Sequence, residues 1–156
     1  MNYNNVFVCT GNACRSPFAE TVLKQMLKEA NINDVKVWSC GTLDWGSNPR
    51  DAQMVLTAKE LGYTMEGTTQ RMRRDDLVKA DKIIVFEPYH RDEITRILDY
   101  DHWNRIILFD MYAFGANNEV CDPHYESPAI YKDVAEHIVA GCKAIVTKFC
   151  ANVTSA

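Results

Sequence analysis

Four short apolar runs, separated by longer helical patterns, constrain the fold of this chain most strongly. The runs cover residues 6–9, 35–39, 82–86 and 105–109. Each has the length and composition of a buried strand, and the apolar residues between them recur at helical spacing. Strands that alternate with helices predict a four-stranded parallel sheet with helices on both faces, an α/β three-layer sandwich. The 156 residues are enough for one domain, so we predict a single domain over 1–156.

Local signals indicate where the helices begin and end. Ser16 and Pro17 suit the N-cap and the first position of a helix, and Asn48 suits the cap of a second helix that ends near Gly62. Residues 109–128 lack a clear period and are predicted to be one long loop. A last helix follows, with apolar residues at helical spacing from Ile130 onwards.

The segment between the first strand and the first helix has the properties of an anion-binding loop. Cys9 ends the strand, and ligands of parallel sheets bind at the carboxyl ends of strands. Gly11 and Asn12 tolerate backbone angles that most residues avoid, so successive N–H groups can turn inwards. The helix N-terminus and the planar guanidinium of Arg15 add positive charge. The loop therefore predicts a site for a tetrahedral oxyanion.

A cysteine at the base of such a loop indicates covalent phosphoryl transfer. The inward N–H groups, Arg15 and the Ser16 hydroxyl would all stabilise the thiolate of Cys9, which is the nucleophilic form. The leaving group needs a proton, and Asp122 lies in the longest predicted loop as a candidate general acid. The predicted phosphate-binding residues are Thr10, Gly11, Asn12, Ala13, Cys14, Arg15 and Ser16.

Composition narrows the partners of the chain. A net charge of -4 gives no general attraction for nucleic acid or anionic lipid. No apolar run is long enough for a membrane span and no signal peptide is evident, so we expect a cytoplasmic protein that acts without a membrane. The six cysteines and four histidines are scattered, which predicts free thiols, no metal and no cofactor. We expect a monomer.

Three stretches carry a resemblance to a known family. Residues 8–17 read VCTGNACRSP, residues 39–42 read SCGT and residues 122–125 read DPHY. In this order, and in a chain of this length, they resemble the low-molecular-weight protein tyrosine phosphatases, whose signature is a Cys-x5-Arg-Ser loop near the N-terminus. The resemblance covers nearly the whole chain.

The resemblance implies a role for each matching residue. Cys9 would be the nucleophile, Arg15 would hold the phosphoryl group and Asp122 would be the general acid and base. The remaining roles would be loop support by Asn12, Ser16 and Ser39, cleft walls from Trp45, His124 and Tyr125, and a redox partner for Cys9 in Cys14. The implied substrates are phosphotyrosine proteins or peptides and small aryl phosphates. Inorganic phosphate and other oxyanions would bind the loop as inhibitors.

The chain departs from the family pattern at three places. Residues 67–70 replace a His-x-Ala-Arg stretch, and Glu87 replaces an aspartate at the end of the third strand. Ala13 matches neither the branched residue of tyrosine-specific members nor the threonine of relatives that resemble protein arginine phosphatases.

Three alternatives to the tyrosine phosphatase stay open. One is a protein arginine phosphatase of the same fold. Another is an arsenate reductase, which would need a further cysteine pair, although residues 80–100 contain no cysteine. The third is a non-catalytic anion-binding module, which would have no use for Cys9 or Asp122.

Overall fold

The computed structural model describes residues 2–154, with side chains as far as residue 151. Its centre is a sheet of four parallel strands in the order β2-β1-β3-β4. The strands are β1 (Tyr3–Cys9), β2 (Val35–Gly41), β3 (Lys82–Val85) and β4 (Ile106–Leu108). The predicted parallel sheet is therefore confirmed, with each strand within two residues of its expected position at the end that carries the site.

Helices cover both faces of the sheet. They are α1 (Arg15–Glu29), α2 (Ala52–Glu60), α3 (Arg74–Val78), α4 (Pro88–Thr95), α5 (Phe109–Phe114) and α6 (Pro128–Thr154), with a 3-10 helix at Tyr100–Arg105. Buried side chains of α1, α2, α5 and α6 form one core with the sheet, and those of α3 and α4 form a second core on the opposite face. The predicted three-layer sandwich is confirmed.

Strand β1 is buried on both faces, which explains its unbroken apolar run. Phe7 points into the core beneath α1 and α6, whereas Val6 and Val8 point into the core beneath α3 and α4. All three side chains have no exposed surface. The strand that carries Cys9 is thus held rigidly from both sides.

The order of the strands puts the topological switch point between β1 and β3. From β1 the chain crosses to β2 at one edge and then returns to β3 on the other side of β1. Ligands bind at such a point because the connections diverge there and leave a crevice. Cys9 ends β1, and Glu87 follows β3 by two residues. The two side chains that flank the crevice therefore come from neighbouring strands.

The second helix begins later than its sequence predicts. Asn48 does not cap it, because the Asn48 N–H bonds to the Thr69 hydroxyl at 2.8 Å and Pro49 forms an antiparallel bridge with Thr68. Asp51 caps the helix instead, accepting the Met54 N–H at 3.0 Å. The long-range pairing with residues 68–69 outweighs the local cap signal at Asn48, as tertiary contacts commonly do.

The segment predicted as one long loop contains a short helix, α5. Phe109 at its start is fully buried, and Gly141 in α6 leaves the space for it, since an added Cβ there would lie 2.3 Å from the Phe109 ring. Gly115 ends the helix in the left-handed conformation with a φ of 69°. The irregular part is therefore residues 115–127, which we call the acid loop because it carries Asp122.

Candidate active site

Residues 9–16, called here the phosphate loop, surround the sulfur of Cys9. The side chain is 2% exposed. Its Sγ lies 2.9 Å from Ser16 Oγ and 3.4 Å from the Ser16 N–H, which donates to it. A thiolate can only accept, so the hydroxyl also donates when the sulfur is charged. Ser16 thus forms hydrogen bonds with the sulfur and does not cap α1, which begins one residue earlier at Arg15.

Asn12 holds the phosphate loop in its bent shape. Its φ is 55°, in the left-handed region expected for it. The side-chain NH2 donates to the hydroxyls of Ser16 and Ser39, both at 2.9 Å. The side-chain oxygen accepts from the Gln70 N–H at 3.0 Å and from Arg50 at 2.8 Å. The structure therefore brings together Asn12, Ser16 and Ser39, and adds two partners that the sequence did not indicate.

Gly41 is required where β2 passes the phosphate loop. A Cβ at this position would lie 2.7 Å from the Thr10 carbonyl oxygen and 2.9 Å from the Asn12 nitrogen, closer than real Cβ atoms approach. Gly11 has a milder role, since its carbonyl accepts the indole N–H of Trp45 at 3.0 Å. The Ser-x-Gly-Thr sequence at residues 39–42 was the available signal for Gly41.

Arg15 is a buried cation between two carboxylates. Its side chain is 2% exposed, with Nη1 3.4 Å from Glu87 and Nη2 3.8 Å from Asp122. Nη1 also donates to the Val120 carbonyl at 2.7 Å. A buried guanidinium needs such partners, and they fix the direction of its planar fork. Arg15 thereby links the phosphate loop to β3 and to the acid loop.

The general-acid candidate lies on the exposed side of this arrangement. The Asp122 side chain is 45% exposed, and its Oδ1 accepts the N–H of His124 at 3.1 Å. His124 in turn lies 3.4 Å from Asp51, which also accepts the hydroxyl of Tyr131 at 2.8 Å. The acid loop is thus tied to the start of α2 and to α6 through one carboxylate, that of Asp51.

A cleft of about 270 Å³ opens above the sulfur. Its lining residues are Cys9, Thr10, Gly11, Ala13, Cys14, Arg15, Leu43, Trp45, Pro49, Asp51, Asp122 and His124. Two of the three residues predicted as cleft walls, Trp45 and His124, are among them. Tyr125 does not line the cleft: its side chain is 94% exposed, and its ring lies 3.9 Å from that of His124. Leu43, Pro49 and Asp51 were not predicted, because no local pattern marks them.

The departures from the family pattern contribute to the site. Gln70 donates its backbone N–H to Asn12 and its side-chain amide to the Ser39 carbonyl at 2.7 Å. Glu87 pairs with Arg15 and accepts at the N-terminus of α4. Gln70 stands at the arginine position of the replaced stretch and Glu87 at the position of the usual aspartate, so two of the departing residues support the phosphate loop.

His90 is a further residue that sequence reasoning missed. Its ring is completely buried, and its Nε2 lies 3.0 Å from the hydroxyl of Thr10. Burial, and after it the charge of Arg15, together lower the pKa of His90 to about 3. The available signal was its position, three residues after Glu87 at the carboxyl end of the strand beside β1.

Cys14 and Cys9 differ in their surroundings although both line the cleft. Burial, followed by the proximity of Cys9, raises the pKa of the Cys14 thiol well above its ordinary value. Cys14 is thus a neutral thiol near Cys9, whose sulfur Ser16 contacts. Both cysteines are free.

Two further properties of the described residues concern metal ions and membranes. Within residues 2–154, no three His, Cys, Asp or Glu side chains are grouped so as to hold a metal ion. None of the helices in that part of the chain is both long and apolar enough to cross a membrane.

Comparison with known proteins decides the family. The family model for low molecular weight phosphotyrosine protein phosphatase matches residues 4–155. The chain belongs to this family. It is 33% identical over 135 residues to a low molecular weight protein-tyrosine-phosphatase of Staphylococcus saprophyticus, covering 82% of this chain and 84% of the relative. As a member of the family, the chain is a phosphatase enzyme.

Solved structures agree with this assignment. A low molecular weight phosphotyrosine phosphatase from Vibrio cholerae has a TM-score of 0.88 and 29% identity, with 95% of this chain and 97% of that chain covered. An arginine phosphatase from Geobacillus stearothermophilus has a TM-score of 0.87 at 19% identity, covering 98% and 96%. The second likeness is one of fold alone.

Proposed function

We propose that this phosphatase hydrolyses phosphotyrosine in proteins or peptides, and small aryl phosphates, through a phospho-cysteine intermediate on Cys9. The observation that carries the proposal is the buried sulfur of Cys9, 2.9 Å from the Ser16 hydroxyl, in a cleft that Arg15 and Asp122 also line. Nucleophile, charge clamp and proton donor are thus within one small space, as this reaction requires.

In the first step the Cys9 thiolate attacks phosphorus. The S–P bond forms as the bond from phosphorus to the phenolic oxygen breaks, and Asp122 gives its proton to the departing oxygen. The backbone N–H groups of the phosphate loop and the guanidinium of Arg15 stabilise the equatorial oxygens. Glu87, 3.4 Å from Arg15, keeps the guanidinium in place during the transfer.

In the second step water releases the phosphate. Asp122, now a carboxylate, takes a proton from the water as it attacks phosphorus, and the S–P bond breaks to restore the thiolate. The exposure of Asp122 supports this role, because a carboxylate at the mouth of the cleft reaches both the leaving group and the incoming water. The two steps together need no reactant besides the phosphate monoester and water.

The walls of the cleft support an aryl substrate. Trp45 is 49% exposed and its indole N–H is anchored on the Gly11 carbonyl, so its ring is fixed beside the phosphate loop. A fixed aromatic wall stacks against a phenyl ring and favours phosphotyrosine over the shorter phosphoserine. His124 also lines the opening and lies 3.4 Å from Asp51.

A protein arginine phosphatase is the second candidate, and the charge at the mouth favours it. Asp51 and Asp122 both line the cleft, as does the small side chain of Ala13. Two carboxylates suit a cationic guanidinium better than a neutral phenyl ring. A comparison of kcat/KM for matched phosphotyrosine and phosphoarginine peptides decides between them, and we expect the phosphotyrosine peptide to be hydrolysed faster.

Cys14 is proposed to protect the nucleophile from oxidation. Peroxide converts the Cys9 thiolate to a sulfenic acid, and the Cys14 thiol then displaces water from it to form a disulfide. We expect peroxide inactivation of the wild type to be reversed by dithiothreitol and that of Cys14→Ser to become irreversible. Equal recovery of the two proteins would contradict this role.

The proposed reaction is tested with p-nitrophenyl phosphate. Cys9→Ser should lose all measurable turnover, whereas Cys150→Ser, a change far along the chain in α6, should keep it. Turnover of Cys9→Ser at the wild-type rate would contradict a covalent mechanism. A non-catalytic anion-binding module would show phosphate binding with no turnover in the wild type.

A further inference from the structure

His90 is a buried histidine to which the steps above assign no role. Its Nδ1 accepts two backbone N–H groups, from Phe86 at 3.3 Å and Glu87 at 3.1 Å. Those groups can only donate, so Nδ1 carries no hydrogen. The hydrogen of the neutral ring is therefore on Nε2, a tautomer assigned from the hydrogen-bond network.

The Nε2–H of His90 faces the residue that follows the nucleophile. It lies 3.0 Å from Thr10 Oγ1, and the next acceptor, Glu87 Oε2, is farther away at 3.7 Å. Because Nε2 donates, the Thr10 oxygen accepts and its own hydrogen remains available. Thr10 lines the cleft, and its carbonyl is anchored from the opposite side by the Leu43 N–H at 3.0 Å.

The charges around His90 keep its ring neutral. Arg15 is the cation that acts on the ring, and Glu87 pairs with that cation at 3.4 Å. A second positive charge on the ring would repel Arg15, and a proton on Nδ1 would face the two N–H donors. The donor at Nε2 is thus a fixed feature of the folded protein.

We infer that His90 is a positioning residue that acts through Thr10. By donating to Oγ1, it turns the Thr10 hydroxyl hydrogen towards the cleft, where that hydrogen binds an oxygen of the phosphate monoester. This inference rests on the proposed function, since it assigns a further contact within the same site. Thr10 becomes a side-chain donor that adds to the N–H groups of the phosphate loop.

Two substitutions of His90 separate the roles of its two ring nitrogens. In His90→Gln the side-chain amide nitrogen replaces Nε2 and keeps the donor to Thr10. In His90→Asn the side-chain oxygen replaces Nδ1 and keeps the acceptor for the backbone, but the chain is too short to reach Thr10. Thr10→Ser and Thr10→Val form the matching pair, which keeps or removes the hydroxyl.

The readouts are kcat/KM for p-nitrophenyl phosphate and the Kd of tungstate by calorimetry. Thr10→Val and His90→Asn should each lower kcat/KM and weaken tungstate binding about tenfold, the effect of one hydrogen bond. Thr10→Ser and His90→Gln should lose no more than about threefold. The double variant His90→Asn/Thr10→Val should be no worse than Thr10→Val alone, because the two act through one contact.

Two outcomes would overturn the inference. The first is a loss of kcat/KM in His90→Asn/Thr10→Val that equals the product of the losses in the two single variants. The second is a larger loss of kcat/KM in His90→Gln than in His90→Asn. That result would mean that His90 acts only by accepting the backbone N–H groups of Phe86 and Glu87. If the His90 variants do not fold, Thr10→Val decides the matter, and wild-type kcat/KM in that variant overturns the inference. Failure of the proposed function is recognised separately, by turnover that survives in Cys9→Ser.

Discussion

The phosphate loop and the acid loop meet in one cleft but are built in opposite ways. In the phosphate loop, Asn12, Arg15 and Ser16 are at most 2% exposed, and every polar side chain among them has protein partners. In the acid loop, Asp122 is 45% exposed and Tyr125 is 94% exposed. The charge-binding half of the site is thus part of the core, and the proton-transfer half lies at its surface.

This difference separates two kinds of contribution to the reaction. Donors that are fixed before substrate arrives need no reorganisation when charge develops on phosphorus. A proton donor must reach first a leaving group and then water, and an exposed loop allows both. Changes in the phosphate loop should therefore affect stability and catalysis together, whereas changes in the acid loop should affect catalysis alone.

Among the changes that test this comparison, Asp122→Asn has the largest expected effect. It keeps the oxygen that accepts the His124 N–H but removes the transferable proton. We expect kcat for phosphotyrosine peptide to fall about 10²–10⁴-fold, with the melting temperature unchanged. The loss should shrink for p-nitrophenyl phosphate, whose leaving group needs less protonation. Glu126→Gln is the control in the same loop, and an equal loss there would contradict the role of Asp122.

Asn12→Ala tests the other half of the comparison. It removes hydrogen bonds to Ser16, Ser39 and Gln70 and places alanine at a φ of 55°. We expect the free energy of unfolding to fall by about 2–4 kcal/mol, measured in urea, together with a fall in kcat/KM. Asn12→Gly relieves the backbone strain but not the lost bonds. A catalytic loss in Asn12→Ala without any loss of stability would break the comparison.

The buried ring of His90 predicts how stability depends on pH. Its pKa is about 3 in the folded protein, against an ordinary value of 6.5, because of burial and then Arg15. The unfolded chain therefore binds a proton that the folded protein excludes, so stability falls as pH drops from 6.5 towards 3. The slope from this group is at most about 1.4 kcal/mol per pH unit.

Urea unfolding at a series of pH values measures this slope. His90→Gln has no titrating ring at this position, so the wild type should lose more stability than His90→Gln between pH 6 and pH 4. Parallel curves for the two proteins would show that the ring of His90 is protonated in the folded state.

The cleft walls should show the smallest effects and a contrast between two aromatic residues. Trp45→Ala removes the ring anchored beside the phosphate loop, and we expect KM for a phosphotyrosine peptide to rise about 3- to 10-fold. Tyr125→Ala should change KM less than about twofold, because that ring lies outside the cleft. A larger effect of Tyr125 would mean that the acid loop closes over the substrate and carries this ring inwards.

The sequence predicted the phosphate loop itself better than the distant residues that contact it. Cys9, Asn12, Arg15 and Ser16 lie in one short segment between a strand and a helix, so local patterns place them together. Partners from distant segments have no such signal: Gln70 and His90 reach the phosphate loop only because β1 lies between β2 and β3.

The errors in the predicted fold have the same physical origin. Asn48 has the local character of a cap but pairs with residues 68–69 instead. Helix α5 has a weak period of its own and is formed where Phe109 fills the space beside Gly141. Side chains at the surface of the acid loop, such as Tyr125, are placed by the loop's own conformation, which no periodic pattern records.

Trapping of the phospho-enzyme tests the central claim most directly. Asp122→Asn is mixed with p-nitrophenyl phosphate, because its good leaving group allows the first step while the missing base slows the second. The mixture is quenched in acid within the first turnover, digested and analysed by mass spectrometry. The mechanism predicts a phosphoryl group on the peptide that contains Cys9, bound to that sulfur. Turnover without any phosphorylated peptide, or phosphate on a residue other than Cys9, would contradict it.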